Sequence, residues 1–78
     1  NEFIVNAQAN IQDVNEHLPI ALPEGVEYDT VAGLIIKVFS RIPDISEKMT
    51  FEGYQVTILK KTKQSILLVR LYKLDQTE

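Results

Sequence analysis

Carboxylates are the residues of this chain whose type and spacing come nearest to supporting a reaction. They gather in two segments, with Glu24, Glu27 and Asp29 in the first and Asp44 and Glu47 in the second. A pair of carboxylates can act as the acid and base of a hydrolase, and carboxylate oxygens also bind hard cations such as Mg²⁺. A chain of 78 residues rarely encloses a pocket that shields carboxylates enough to shift their pKa values. We therefore predict that the chain is not an enzyme, with weak cation binding by these loops as the alternative.

The other reactive residue types lack the partners that their chemistry needs. His17 is the single histidine and there is no cysteine, so no second nitrogen or sulfur ligand is available for a metal site. The serines stand in no nucleophile-elbow motif, and the glycines are too far apart for a phosphate-binding loop. From motif chemistry we predict no catalytic residue, no metal ligands and no cofactor.

Charge argues against nucleic acid as a partner. The chain has a net charge of −3 and a pI of about 5.0, whereas a domain that grips phosphates is normally basic on one face. The basic cluster consists of Lys60, Lys61 and Lys63 in a predicted turn. Three lysines fall short of the ~4–8 that mark a lipid-binding segment. We interpret the cluster as a solvated turn, with contact to anionic lipid or nucleic acid as the alternative.

Length and composition predict one small globular domain over residues 1–78. The apolar fraction is 45% and the charged fraction 24%, both near the averages of globular proteins. No apolar run approaches the ~20 residues of a membrane-spanning helix, and the N-terminus lacks the basic start of a signal peptide. The sequence begins at Asn1 without a methionine, from which we expect a fragment of a longer protein.

The elements that would position these residues begin with a strand and a short helix. The segment 2–7 is apolar and β-branched, as is typical of a short strand. Asn10 suits the N-cap of a helix whose apolar residues recur at helical spacing, and Pro19 ends it. A helix of about two turns is not stable alone, so we expect it to lean on a sheet.

A second, longer helix is predicted from Asp29 or Thr30, either of which can cap it, to Pro43, which stops it. Its apolar stripe is formed by Val31, Leu34, Ile35, Val38 and Ile42. Gly33 lies early in this helix, where a glycine costs ~1 kcal/mol relative to alanine. We predict that Gly33 permits a close approach of the helix to the sheet or to the first helix, so that Gly33→Ala destabilises the fold.

The last third of the chain changes to strand periodicity. Glu52-Gly53 is a two-residue hairpin signal in which Gly53 can adopt a positive φ, and the segment 61–64 is the next predicted turn. We expect the N-terminal strand beside the last one. The predicted class is α+β: an antiparallel sheet of about four strands with two helices on one face, in the order β-α-α-β-β-β.

The last predicted strand, residues 65–74, is apolar on both faces. Alternation directs one set of side chains toward the core, namely Leu67, Val69 and Leu71. The opposite set includes Ile66, Leu68 and Tyr72. We predict that these three side chains form an exposed contact surface.

Taken in order, these segments resemble a known family. The stretch "YDTVAGLIIKVFSRIP", with its spacing of Thr30 and Gly33 and its Ile-Pro stop, resembles the helix of the CorC/HlyC transporter-associated domain. The stretches "FIVNAQANIQDVNEHL" and "FEGYQVTILKKTKQSILLVRL" resemble its opening and closing parts, so the likeness covers about residues 3–72. The chain departs from the family at residues 5–7 and at Ser46, where family members often carry glycine.

The resemblance implies a function in ion transport. Such domains usually stand at the C-terminus of membrane proteins that resemble magnesium/cobalt efflux or hemolysin-like proteins, after a transmembrane domain and a pair of CBS domains. The family has no catalytic residues, and its implied role is to modulate the transport of ion substrates at the cytoplasmic face of the membrane. The implied partners are the other domains of the parent protein, or a second copy in a homodimer.

The same resemblance leaves a second hypothesis about function. The family fold is similar to half of the FAD-binding domain of some flavin oxidases. A small-ligand module that binds nucleotide or flavin in a cleft between the helices and the sheet is therefore the alternative, and it rests on fold analogy alone.

Overall fold

Four strands and two helices follow one another in the order β-α-α-β-β-β in the computed structural model, which describes residues 2–74. The elements are β1 Glu2–Asn6, α1 Ile11–Asn15, α2 Val31–Phe39, β2 Lys48–Phe51, β3 Tyr54–Lys61 and β4 Ile66–Lys73. The strands form one antiparallel sheet in the order β1-β4-β3-β2. The predicted α+β class and the place of the N-terminal strand beside the last one are confirmed.

The turn between β2 and β3 is the two-residue hairpin turn that the sequence predicts. Phe51 and Tyr54 pair across it, and the residues between them have φ values of 53° at Glu52 and 87° at Gly53. Two successive positive φ angles are typical of a type I′ turn, whose twist matches that of the flanking strands. Glycine adopts such an angle without a steric cost, which explains Gly53 at this position.

Helix α1 has five residues, fewer than the two turns predicted. Its N-cap is confirmed, because the Asn10 side chain accepts a hydrogen bond from the Gln12 N–H at 2.8 Å. At its other end the Asn15 side chain accepts from the Leu22 N–H at 2.8 Å and donates to the Leu22 carbonyl at 2.9 Å. This paired contact fastens the following loop to the end of the helix.

Helix α2 ends earlier than predicted. Ser40 adopts a left-handed conformation with φ 61°, and its N–H donates to the Ile36 carbonyl at 2.8 Å. The chain therefore leaves the helix three residues before Pro43, which is buried in the loop that follows. The predicted apolar stripe is wrong at Val38, which is 40% exposed, and Ile42 lies beyond the helix.

The predicted close approach at Gly33 to the sheet or to the first helix is wrong, because the close neighbour of Gly33 is Tyr28. A Cβ at this position would lie 2.9 Å from the Cβ of Tyr28, in the loop before the helix, rather than against the sheet or α1. The Gly33 N–H donates to Thr30 Oγ1 at 3.1 Å, which confirms Thr30 as the N-cap. The Tyr28 hydroxyl in turn donates to the Pro23 carbonyl at 3.1 Å, so the loop is anchored at the point of contact.

The core lies between the helices and one face of the sheet. Its most buried side chains, at most 2% exposed, include Val31, Leu34 and Ile35 from α2 and Tyr54, Val56, Ile58, Val69 and Leu71 from the sheet. These side chains fill the space between α2 and the sheet. A nucleotide or flavin would need that space to be open.

A β-bulge overturns the predicted facing of the first part of β4. The register shifts so that Lys60 pairs with Leu68 and Lys61 pairs with Ile66, which leaves Leu67 without a partner on β3. Because an extra residue reverses the alternation on one side of a bulge, Ile66 turns into the core and is fully buried, while Leu67 is 39% exposed. The predictions that Leu67 faces the core and that Ile66 is exposed are wrong.

Candidate interaction surface

The sheet has a second face, which the helices do not cover. Side chains alternate along each strand, so the residues between core positions point to this side. We call it the open face, and its residues are Glu2, Ile4, Asn6, Leu68, Arg70, Tyr72, Gln55, Thr57, Lys48 and Thr50. Its apolar members include Ile4, 57% exposed, and Tyr72, 46% exposed.

The apolar side chains of the open face adjoin one another across β1 and β4. Ile4 lies opposite Arg70, which places it diagonally between Leu68 and Tyr72. Diagonal neighbours on one face of a sheet are ~7–8 Å apart, within reach of long and aromatic side chains. The predicted contact residues Leu68 and Tyr72 are therefore brought together with Ile4. The third predicted residue, Ile66, lies in the core.

Ile4 is the member of this cluster that the sequence analysis missed. The strand at residues 2–7 and its place beside the last strand were both predicted, and alternation along that strand was the available signal. With Val5 facing the core, Ile4 must face outward.

Charged side chains cross the middle of the open face. The Arg70 Nε is buried and lies 3.2 Å from the Glu2 Oε2, an ion pair that does not have the geometry of a hydrogen bond. Thr57 lies between Arg70 on β4 and Lys48 on β2, and it is only 6% exposed. Long side chains on both sides can account for that burial, because their methylene stems lie along the sheet.

This arrangement suits contact with another protein surface rather than a reaction. Apolar side chains within a polar surround are the usual anatomy of a protein interface. The open face is also a side of an antiparallel sheet that is commonly solvated, so it can be covered or exposed without unfolding the domain.

The acidic loop after α2 serves the fold. Glu47 pairs with Arg41 through both carboxylate oxygens, and its Oε1 accepts a hydrogen bond from the Asp44 N–H at 2.9 Å. These two contacts, Arg41 first, lower the pKa of Glu47 from 4.5 to about 2. Asp44 in turn lies 3.3 Å from the Lys61 ammonium, so one member of the predicted lysine cluster is held by the loop.

The acidic side chains of the loop before α2 do not gather at one point in the structure. Glu27 forms an ion pair with Lys37, and Glu24 accepts a hydrogen bond from Gln12 at 3.2 Å beside a cleft of about 240 Å³. Asp29 lines the same cleft. Within residues 2–74, no three acidic or histidine side chains converge as metal ligands would.

His17 follows the C-terminal end of α1 and does not line the cleft beside Glu24 and Asp29. It is exposed and lines a cleft of about 410 Å³ together with Val14, Leu18 and all of β1. This cleft runs along the free edge of the sheet, and Phe3 is among its apolar lining residues.

By sequence and by structure, this chain is similar to the same family of proteins. The family model described as the transporter associated domain, CorC_HlyC, matches residues 1–75. Hemolysin C of Brachyspira hyodysenteriae is 28% identical over 74 residues, which cover 95% of this chain and 28% of that protein. Across the curated relatives that it matches, the chain spans 7% to 28% of their length.

Two solved structures superpose closely on this one. The transporter associated domain CorC_HlyC of Nitrosomonas europaea has a TM-score of 0.81 at 23% identity, covering 94% of this chain and 87% of that chain. The corresponding domain of a Xylella fastidiosa hemolysin, in complex with Mg++ and Mn++, has a TM-score of 0.78 at 26% identity, covering 95% of this chain and 89% of that chain. No helix within residues 2–74 is long and apolar enough to cross a membrane.

Proposed function

Because the chain belongs to the CorC/HlyC family of transporter-associated domains, we propose that it is a non-catalytic regulatory module of an ion-transporting membrane protein. In this proposal the open face docks on another domain of the parent protein. Docking would bias transport only if the open face binds one state of the parent more tightly than another, since a contact of equal strength shifts no equilibrium.

The apolar cluster of the open face is the observation that carries this proposal. Ile4, Leu68 and Tyr72 are held on rigid strands whose other face is well packed, so their exposure does not result from a loose fold. A docked domain would cover these side chains and leave the surrounding polar residues at its rim.

Family resemblance supports the finer part of the proposal. The transported ion is Mg²⁺ or Co²⁺, and the docking partner is a CBS pair or a transmembrane domain on the cytoplasmic side. The chain covers 28% of hemolysin C, so relatives of that size have room for such domains. The relative from Xylella fastidiosa, solved with Mg++ and Mn++, makes divalent cations the first ligands to test.

Thiol labelling of the parent protein tests the docking. The present chain has no cysteine, so Tyr72→Cys and Val38→Cys each introduce one thiol into it. Tyr72 is on the open face and 46% exposed, whereas Val38 is on α2 and 40% exposed, so the two sites are matched in accessibility. In a parent whose remaining cysteines are replaced, we expect maleimide to modify the Tyr72→Cys variant more slowly than it does in the 78-residue chain.

The Val38→Cys variant serves as the control, because the proposal leaves α2 uncovered. Its labelling rate should be the same in the parent and in the 78-residue chain. Equal rates for Tyr72→Cys in the two contexts would refute docking through the open face.

Transport measurements test the regulatory part of the proposal. Leu68→Lys in the parent introduces a charge at the apolar cluster, and Val38→Lys introduces the same charge elsewhere. We expect Leu68→Lys to change Mg²⁺ or Co²⁺ efflux from loaded vesicles and Val38→Lys to leave it near the wild-type rate. A Leu68→Lys parent with unchanged efflux would contradict a regulatory role for this surface.

A further inference from the structure

Strand β1 forms an edge of the sheet and lacks the features by which edge strands usually avoid pairing. The other edge strand, β2, has four residues and begins with Lys48. β1 has a regular register with no bulge or proline, and its centre is the uncharged sequence Phe3-Ile4-Val5, with Glu2 as its single charge. Lysine, proline and bulges are common protections of an edge, and β1 has none of these three.

The main-chain groups of β1 that point to the free edge follow from its pairing with β4. The Ala7 N–H donates to the Leu67 carbonyl at 2.9 Å, in continuation of the β1–β4 register. Hydrogen-bonded pairs alternate with non-hydrogen-bonded pairs along an antiparallel ladder. The N–H and C=O groups of Glu2, Ile4 and Asn6 therefore point away from β4, and of these the Asn6 carbonyl already accepts a hydrogen bond from the Ala9 N–H at 3.0 Å.

We propose that this edge pairs with β1 of a second copy of the chain, antiparallel and about a two-fold axis at Ile4. The inference goes beyond the proposed function, because it names a second copy of the chain as a partner and β1 as the strand through which it binds. In this register Ile4 faces Ile4 of the second copy, and Glu2 faces Asn6 of the second copy. Each of the three residues whose main-chain groups point to the free edge thus pairs with a residue of the second copy. The two four-stranded sheets join into one sheet of eight strands.

Side-chain complementarity selects this register over its alternatives. A register with Glu2 opposite Glu2 sets like charges face to face, which destabilises a sheet. In the Ile4 register the Glu2 carboxylate faces the Asn6 carboxamide. The Asn6 Oδ1 already accepts the Gln8 N–H at 2.9 Å, which leaves the amide N–H groups of Asn6 free to donate to the carboxylate.

The inner side of the proposed pairing is apolar as well. Alternation places Phe3 opposite Val5 of the second copy, and both residues line the cleft beside α1 with Leu18. The pairing would thus extend the apolar side of the sheet over the mouth of that cleft. On the open face, the pair of Ile4 side chains would join the apolar clusters of both copies.

A five-residue edge is small for an interface, so we expect the two copies to bind each other weakly. Stable complexes typically bury about 1,600 Å² in total, more than two short strands can offer. The 78-residue chain should therefore dimerise reversibly and only at high concentration. Attachment of both copies to one assembled parent would raise their effective concentration and favour the pairing.

Cross-linking tests the register directly. In the proposed pairing, Ile4→Cys brings two thiols onto facing residues whose Cα atoms are ~5.5 Å apart, within the range of a disulfide. Glu2→Cys sets its two thiols about 14 Å apart along the strands, beyond that range. Under mild oxidation we expect a covalent dimer from Ile4→Cys, and from a mixture of Glu2→Cys with Asn6→Cys, but little from Glu2→Cys alone.

Sedimentation measures the reversible dimer without a cross-link. Ile4→Pro removes an outward N–H and no hydrogen bond to β4, so it should fold while losing the dimer. Ile4→Lys, which puts two positive charges opposite each other, is the second blocking variant in case the proline variant fails to fold. Thr50→Lys, on the open face of the other edge strand, is the matched control and should dimerise as the wild type does.

Three results would overturn the β1 pairing: a chain that stays monomeric at its highest soluble concentration, a dimer indifferent to both Ile4 variants, or Glu2→Cys cross-linking as readily as Ile4→Cys. None of them bears on the labelling of Tyr72→Cys in the parent. The dimer and the docking of the open face can therefore fail separately.

Discussion

At the scale of single residues, Gly33 shows how a poor helix former becomes the best choice. Alanine would gain ~1 kcal/mol of helix propensity, but its methyl group would meet Tyr28 Cβ at 2.9 Å. Overpacking costs about 1–3 kcal/mol, and the contacted atom is the Tyr28 Cβ, which can move only together with the Tyr28 backbone. We expect Gly33→Ala to lower the free energy of unfolding by roughly 1 kcal/mol in urea denaturation.

Val38→Ala is a useful control for that substitution. It also introduces alanine into α2, at a side chain that is 40% exposed. Its free energy of unfolding should stay near the wild-type value. A Gly33→Ala variant as stable as Val38→Ala would mean that the contact with Tyr28 has no energetic weight.

Ser46 is the opposite case to Gly33, because it is a serine at a position where glycine would fit the backbone better. Its φ is 68°, in the left-handed region that costs a non-glycine residue ~1–2 kcal/mol. Glycine relieves that strain but makes the unfolded chain more flexible, which offsets ~0.5–1 kcal/mol. We expect Ser46→Gly to raise the melting temperature slightly, with a gain of up to about 1 kcal/mol. Gln64→Gly, in a turn without positive φ, should lower it.

The Ser46 angle also shows why glycine suits this position, since glycine adopts a positive φ without a steric cost. The family resemblance implies glycine at this position, where this chain has Ser46. A single sequence does not reveal the sign of φ at a serine. In the structure this left-handed residue is held to the sheet, because the Ser46 N–H donates to the Ile58 carbonyl at 2.8 Å.

At the scale of elements, two side chains tie loops to the sheet and helix that flank them. Tyr54 on β3 is fully buried, and its hydroxyl donates to the Ile20 carbonyl at 2.7 Å and accepts from the Ile20 N–H at 3.0 Å. Tyr54→Phe removes both bonds and leaves two main-chain groups without partners. We expect a loss of ~1–3 kcal/mol in thermal or urea unfolding.

Tyr28→Phe is the control for Tyr54→Phe, because it also removes a single tyrosine hydroxyl. The Tyr28 hydroxyl makes one exposed hydrogen bond, which water can replace. Its loss should be distinctly smaller than that of Tyr54→Phe. Equal losses would indicate that Ile20 finds water in the Tyr54→Phe variant.

Glu47 is the second tie, and it predicts a pH dependence. Its pKa is lowered to about 2 in the folded chain, from 4.5, chiefly by Arg41. A lowered pKa stabilises the fold above the ordinary value, and this contribution disappears as the pH falls from 4.5 toward about 2. We expect Glu47→Gln to melt below the wild type at neutral pH, with the difference shrinking across that window. A difference that stays constant with pH would contradict this origin.

Strand β4 marks where prediction from sequence stops at this scale. Alternation gave the right faces for Val69, Leu71 and Tyr72, because the strand is regular there. It failed at Ile66 and Leu67, because the bulge depends on how β3 and β4 pair across their turn. Helix α2 ended early for a similar reason, since nothing in the sequence required a left-handed Ser40 ahead of Pro43.

At the scale of the whole molecule, the order of elements and the sheet topology were predictable. Changes of hydrophobic period indicated the elements, and the two-residue hairpin signal made β2 and β3 neighbours in the sheet. The candidate surface was predicted only in part. Leu68 and Tyr72 were identified from β4 alone, whereas Ile4 required knowing which side of β1 faces outward.

One core supports the entire domain, so a single cavity in it should be felt throughout. Leu34 on α2 is 1% exposed, and Leu34→Ala is expected to cost ~2–5 kcal/mol, a large share of the stability of so small a domain. Circular dichroism and urea titration would show a variant that is partly unfolded near room temperature. Leu67→Ala, at a residue that is 39% exposed, should lose far less. Similar losses would place Leu67 in the core.

The position of β4 also has a consequence for the order of events during synthesis. β4 is the last strand of the chain, yet it lies inside the sheet between β1 and β3. On a ribosome, β1 has no strand to pair with until residues 66–73 have emerged, while the β2–β3 hairpin can form earlier. A chain truncated at Gln64 would lack the strand that joins β1 to β3. The four-stranded sheet can therefore be completed only after β4 has been synthesised.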